Sequence, residues 1–210
     1  FNQEKNVLLD CGVHMAYNDK RRYPDFELLL NKYGKSDVNE LIDLCLISHF
    51  HLDHCAALPL LTEGFGYKGP VVTSEPTKAI FPYMLEDFMR VTQDKIFQLS
   101  KSKIELCSEK IIPHSLNQTK EYNGITVTTY YAGHVLGAIM FSIEYKGVSV
   151  VYTGDFNTTA DRHLGGCRID RLNPDIVICE STYATISREW RKEREAQFSA
   201  LIKKTFSRGG

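Results

Sequence analysis

The sequence predicts an α/β fold of the αββα sandwich kind, with helices outside two facing sheets. Three observations predict it. Two hairpin signals, Asn123-Gly124 and Lys146-Gly147, each join strand-like runs in the second half of the chain. In the first half, short apolar runs of buried-strand type alternate with stretches of helical spacing. Histidines and aspartates stand at the ends of several of these runs, where a sandwich would gather them.

The elements follow in order. Residues 6–10 (NVLLD) read as a strand ending at Cys11-Gly12. A polar loop follows, and Pro24 can open a helix over residues 25–32. Residues 44–48 (LCLIS) form a short buried strand that runs into residues 49–54, and helical spacing resumes over residues 55–61. Residues 71–73 make another strand. Pro76 starts a helix in which Ile80, Met84 and Phe88, four apart, are expected to line one face. A helix over residues 103–110, strands over 120–122, 125–131, 139–145, 148–152 and 175–179, and a last helix over 189–206 complete the set.

With 210 residues, 43% hydrophobic and 24% charged, the chain can bury the core of one large domain. No apolar run approaches transmembrane length and no signal peptide is visible, so no membrane partner is expected. The net charge of -1 gives no global positive excess, yet a cleft can be basic on a neutral protein. Arg188, Arg191, Lys192 and Arg194 alternate with Glu189, Glu193 and Glu195, which reads as a solvated helix face with paired charges. The six cysteines, at 11, 45, 55, 107, 167 and 179, include no CxxC pair. They are expected to be reduced, mostly buried thiols of an intracellular protein rather than metal ligands. The chain opens Phe1-Asn2-Gln3 and stops at Arg208-Gly209-Gly210, where a helix would end. The expectation is a fragment cut at both ends.

His49-x-His51-x-Asp53-His54 carries the chemistry. Four metal-ligand side chains fall within six residues, directly after a buried strand. His49 and His51, two apart in extended backbone, can share a side, while Asp53 and His54 turn toward a neighbouring position as the helix begins. The bland alternative, a polar helix entry with Asp53 as its cap, does not call for three histidines. His134 follows the strand ending at Tyr131, with Gly133 and Gly137 allowing a tight loop. Taken alone, His134 is as readily structural as ligating. Asp155, in Thr153-Gly154-Asp155, ends another apolar strand, where a carboxylate can bridge two cations. Asp10 ends the first strand and is expected to orient a ligating histidine, although a plain turn aspartate fits nearly as well. His14, His114 and His163 are read as structural. Nitrogen and oxygen donors without thiolate suit two zinc ions in a hydrolytic site. The ligands alone do not choose between a phosphorus and a carbonyl electrophile.

These residues resemble the metallo-β-lactamase superfamily. Asp10, His49 to His54, His134 and Asp155 resemble its first four motifs, and Glu180-Ser181-Thr182-Tyr183 resembles the first motif of the β-CASP branch, which cuts nucleic acids. The resemblance implies a metallo-β-lactamase αββα sandwich over residues 1–210, truncated at both ends, with the β-CASP domain and the C-terminal part lying outside it. It implies one metal held by His49, His51 and His134, a second held by Asp53 and His54, and Asp155 bridging them. Catalysis would involve Asp53, Asp155 and Glu180, the last orienting a later histidine that protonates the leaving oxygen. The implied activity is RNA endonuclease, in the nucleus, beside a catalytically inactive paralogous subunit and other subunits of a complex. The fragment alone is expected to be inactive. Residues 10–26 and Tyr183-Ala184-Thr185 resemble the group acting on nascent and small nuclear RNA more than the polyadenylation group. A small-molecule thioesterase and a metal-free scaffold paralogue are the rival readings.

Overall fold

Four three-residue strands, β1 (Val7–Leu9), β2 (Leu44–Leu46), β3 (Val71–Thr73) and β4 (Ile111–Pro113), pair in parallel in that order. The computed structural model describes residues 4–92, 96–168 and 171–210. It divides the chain into two units, Phe1–Glu180 and Ser181–Gly210. The helices between the strands are α1 (Phe26–Tyr33), α2 (Leu52–Cys55), α3 (Glu75–Thr92) and α4 (Lys101–Lys110). The period-two alternation of β2 explains the layering. Leu44 and Leu46 face a second sheet, and Cys45 and Ile47 face the helices, packing with Phe26, Phe81, Leu85 and Ile104. Both faces of this parallel sheet are therefore covered, and each large apolar side chain so buried contributes roughly 1.5–3 kcal/mol.

The second sheet holds β5 (Thr119–Tyr122), β6 (Ile125–Tyr131), β7 (Ile139–Tyr145), β8 (Val148–Tyr152) and β9 (Ile176–Ile178), in that order. The first four are antiparallel neighbours, and β9 joins β8 in parallel. Asn123 (φ 51) with Gly124 (φ 80), and Lys146 (φ 48) with Gly147 (φ 78), take the positive φ pairs that two-residue hairpins demand. Ile125, Val127, Ile139, Phe141 and Ile143 meet Leu44, Leu46 and Val72 between the sheets.

Three local expectations shift. Helix α1 starts at Phe26, because the Asp25 carboxylate accepts from Leu28 N at 2.9 Å and serves as its cap, leaving Pro24 outside. The buried stripe of α3 is Thr77, Phe81, Leu85 and Phe88, so Ile80 and Met84 flank it rather than form it. After α2 the helical stretch is interrupted and ends in a π turn over Leu60–Gly64. The second unit holds α5 (Arg191–Ser207), which has no buried residue and carries an Arg191–Glu195 ion pair at 2.8 Å. Among the described residues no helix is long and apolar enough to cross a membrane.

Topology places one end of each sheet at the same rim. Strands β1, β2 and β3 run the same way, so Asp10, Ser48 and Ser74 follow their carboxyl ends. In the other sheet β6, β8 and β9 share a direction, so His134, Asp155 and Glu180 lie beyond their ends. The two rims meet where Ile139 N donates to Ser48 O at 3.0 Å.

Candidate metal centre

His49 follows β2 and is fully buried. His51 stands at the N-terminal cap position of α2, in extended backbone. His134 occupies the β6–β7 loop, and Asp155 follows β8. One ligand atom from each of these four lies within 4.8 Å of all the others. His51 Nδ1 is 3.0 Å from His49 Nε2 and 3.2 Å from His134 Nε2. Zinc–nitrogen bonds of about 2.0–2.1 Å at tetrahedral angles place ligand nitrogens about 3.3 Å apart, so the observed spacing fits a cation among them.

His54 and Asp53 sit on α2 one residue apart. His54 Nε2 lies 3.7 Å from Asp53 Oδ2 and 3.6 Å from Asp155 Oδ2. The same Asp155 oxygen is 3.6 Å from His134 Nε2. One carboxylate oxygen thus stands between two groups of donors. Asp53 is the most open of them, its side chain 58% exposed.

Behind the histidines lies Asp10, whose backbone takes φ 60, a left-handed conformation that is strained for a non-glycine residue. Its Oδ1 accepts from Ser48 N at 2.6 Å. Its Oδ2 accepts from Ser48 Oγ at 2.8 Å, Tyr152 Oη at 2.6 Å and His54 Nδ1 at 2.6 Å. Donation from Nδ1 fixes the His54 tautomer and leaves the Nε2 lone pair facing Asp53 and Asp155. Ser48 Oγ, 2.9 Å from His49 Nδ1, can accept that proton while donating to Asp10, which frees His49 Nε2 in the same way.

Burial, then the neighbouring rings of His54, His51 and His134, push the His49 imidazolium down to about 2. Burial and then His134 also lower His51. Burial opposes the charged form of His54, but the hydrogen bond and charge of Asp10 outweigh it and raise the group, with Asp155 and Asp53 adding. Burial thus favours the neutral form of His49 and His51, the form that ligates a divalent cation. The thiols do not compete: burial pushes Cys107 up to about 12, and Cys11, Cys45 and Cys55 well above their ordinary value.

Glu180 lies outside this cluster's ligand atoms. Its Oε1 accepts from Phe156 N at 2.9 Å and holds the turn that carries Asp155. The His134 loop is anchored from Ser74, just before α3, and from the first turn of α3. Ser74 Oγ and Thr77 Oγ1 donate to Gly137 O at 2.5 and 3.1 Å. Gly137 has φ +83, and a Cβ there would lie 2.8 Å from Pro76 Cβ. Buried His114 binds Gln118 O at 2.8 Å and Tyr122 Oη at 3.3 Å. His163 is exposed, its N–H donating to Asp161 Oδ1 at 2.7 Å. Sequence reasoning assigned no role to Ser48 or Tyr152. A signal was present for Ser48, which abuts the histidine segment, but not for Tyr152, since adjacent Val150 and Val151 on β8 are both buried and no alternation marks its face.

Two facing sheets with a histidine–carboxylate cage at their common rim define a metal-binding α/β sandwich. The model of the metallo-beta-lactamase superfamily domain matches residues 1–179, and the chain belongs to that superfamily. Across 98% of its length it is 48% identical to Integrator complex subunit 11 of Danio rerio, covering 35% of that protein. It is 44% identical to cleavage and polyadenylation specificity factor subunit 3-II of Arabidopsis thaliana, covering 34% of it. It is 41% identical to endoribonuclease YSH1 of Yarrowia lipolytica, covering 24%. The chain spans about a third or less of the length of these relatives.

Proposed function

We propose that this chain carries the two-zinc centre of an RNA endonuclease of the β-CASP branch, acting on nascent or small nuclear RNA within an Integrator-type complex in the nucleus. The observation that carries the reading is the position of Asp155 Oδ2, 3.6 Å from both His134 Nε2 and His54 Nε2. The names of the relatives support RNA cleavage, and the Integrator relative is more similar than the polyadenylation one. In this reading residues 1–210 are a partial metallo-β-lactamase domain, and the β-CASP domain, the C-terminal part and the docking site for an inactive paralogue lie elsewhere in the whole protein.

His49, His51 and His134 would hold one ion and Asp53 with His54 the other, with Asp155 common to both. When bound, zinc supplies a water of near-neutral pKa and positive charge against the phosphoryl oxygens. Asp10 and Ser48 keep the ring protons of His54 and His49 turned away from the ligand atoms. Tyr152 and Ser48 hold Asp10 in place, and burial followed by the Asp10 charge keeps the Tyr152 phenol protonated. Glu180 holds the Asp155–Phe156 turn and is proposed to orient a later histidine as general acid.

The test is turnover of the whole, metal-loaded protein on single-stranded RNA and on a small thioester. Metal-dependent RNA cleavage is expected. Thioester hydrolysis with intact RNA would replace this reading with a small-molecule hydrolase. Full retention of activity after complete metal removal would refute the metal mechanism itself.

A further inference from the structure

Beside Asp53 opens a cavity of about 550 Å3, lined by Gly12, Val13, His14, Met15, Ala16 and Asp53. Its size falls within the roughly 300–1,000 Å3 of small-ligand sites. One wall is a residue of the metal cage, and the other walls come from the loop after β1. That loop is built rather than loose. Cys11 N donates to His54 O at 2.8 Å, Val13 N to Leu52 O at 3.1 Å, and Ala57 N to Cys11 O at 2.9 Å. Gly12 lies against α2 so closely that a Cβ would fall 1.7 Å from Asp53 O. Farther out, His14 N donates to Arg22 O at 2.7 Å, and the buried Arg22 guanidinium donates to Tyr17 O at 2.7 Å and to Asn18.

His14 supplies an aromatic ring to the lining, and further flat groups lie behind it. The exposed His14 ring lies 4.6 Å from the half-buried Tyr17 ring and tilted 46° to it, and the Arg21 guanidinium covers the Tyr17 ring at 4.4 Å. Asp19 holds Arg21 there at 2.6 Å. Met15, 57% exposed, adds a polarisable apolar wall. An exposed imidazole beside an apolar wall offers a flat face on which unpaired bases stack with little sequence preference. Of these groups, His14 and Met15 are exposed in the cavity wall that Asp53 shares.

We infer that this cavity receives the nucleotide flanking the scissile phosphodiester, its base stacking on the His14 ring, which Tyr17 backs, and against Met15. The assignment rests on the proposed endonuclease reading. It makes the loop a binding subsite that positions the chain for the metal cage without touching the metal ligands other than Asp53. Stacking of this kind is present before and during reaction, so it acts on KM more than on kcat.

The experiment uses the whole, metal-loaded protein and a single-stranded oligoribonucleotide with 2-aminopurine placed at each position around the cut in turn. Fluorescence is read on mixing, before cleavage. Quenching confined to a position flanking the cut is expected. His14→Ala combined with Tyr17→Ala should abolish that quenching and raise KM about five-fold or more, with kcat within about two-fold and zinc content unchanged. Tyr17→Phe, which keeps the ring, should bind nearly as the unmodified protein does. If the double variant cuts RNA with unchanged KM, the subsite is refuted while the endonuclease reading stands. A metal-loaded protein that neither binds nor cuts RNA overturns both. If the double variant does not fold, the unmodified protein still decides: no quenched position beside the cut overturns the proposal.

Discussion

Asp10 concentrates four hydrogen bonds on one carboxylate held at φ 60. An acid so placed is costly to lose, because Tyr152, Ser48 and His54 would each be left facing a void. Asp10→Ala is expected to weaken metal binding about 10–100-fold, the range for partners that orient ligating histidines, as read by metal titration. Tyr152→Phe removes a single donor and should destabilise the fold by about 1–2 kcal/mol in denaturant unfolding, with a smaller loss of metal affinity. Equal affinity in both variants would show that Asp10 does not orient His54. Glu180→Gln keeps an oxygen for Phe156 N and should slow RNA cleavage while leaving zinc content near normal. Loss of zinc there would make Glu180 a ligand or a fold element instead. The four side chains that the structure gathers, His49, His51, His134 and Asp155, were noticeable in sequence because each follows an apolar run or falls in one dense segment. Tyr152 was not, because its partner lies 142 residues away and nothing local marks a phenol for that contact.

The hairpins were the most readable elements, since Asn123-Gly124 and Lys146-Gly147 state their own backbone geometry. Helix α3 was found, but its buried face was set one position off: the i, i+4 rule fits Ile80–Met84 as well as Phe81–Leu85, and only packing against the sheet chooses. Strand β4 was missed, being three residues long and ending in a proline. The grip of Ser74 and Thr77 on the His134 loop was likewise invisible in sequence, because 60 or more residues separate the partners. It yields a contrast between two glycines. Gly137→Ala combines φ +83 with a 2.8 Å contact and should both destabilise the fold by roughly 1–3 kcal/mol and lower bound metal. Gly147→Ala, at φ +78 with no atom within 4 Å, should cost about 1 kcal/mol and leave metal content unchanged. Thermal unfolding with metal analysis on both variants checks this, and equal metal loss would mean that strain alone, not the His134 anchor, is being read.

For the molecule as a whole, the sandwich brings two rims together: residues from position 49 to position 155 meet in one cage that no single element could build, with Asp10 bonded behind it. The two-sheet class was legible from the alternation of patterns, and the shared rim follows from strand direction, which sequence patterning does not give. Metal held between the sheets should stabilise the fold. At a thousandfold excess over Kd this is about 4 kcal/mol, so chelation should lower Tm on the order of ten degrees. An unchanged Tm would detach the cage from fold stability. The most direct test of the central claim is the metal content of the whole protein and of its Asp155→Ala variant, measured by mass spectrometry. Two zinc ions per chain in the first and no more than one in the second are predicted. A protein that retains no transition metal, or a variant that retains all of it, would contradict the account.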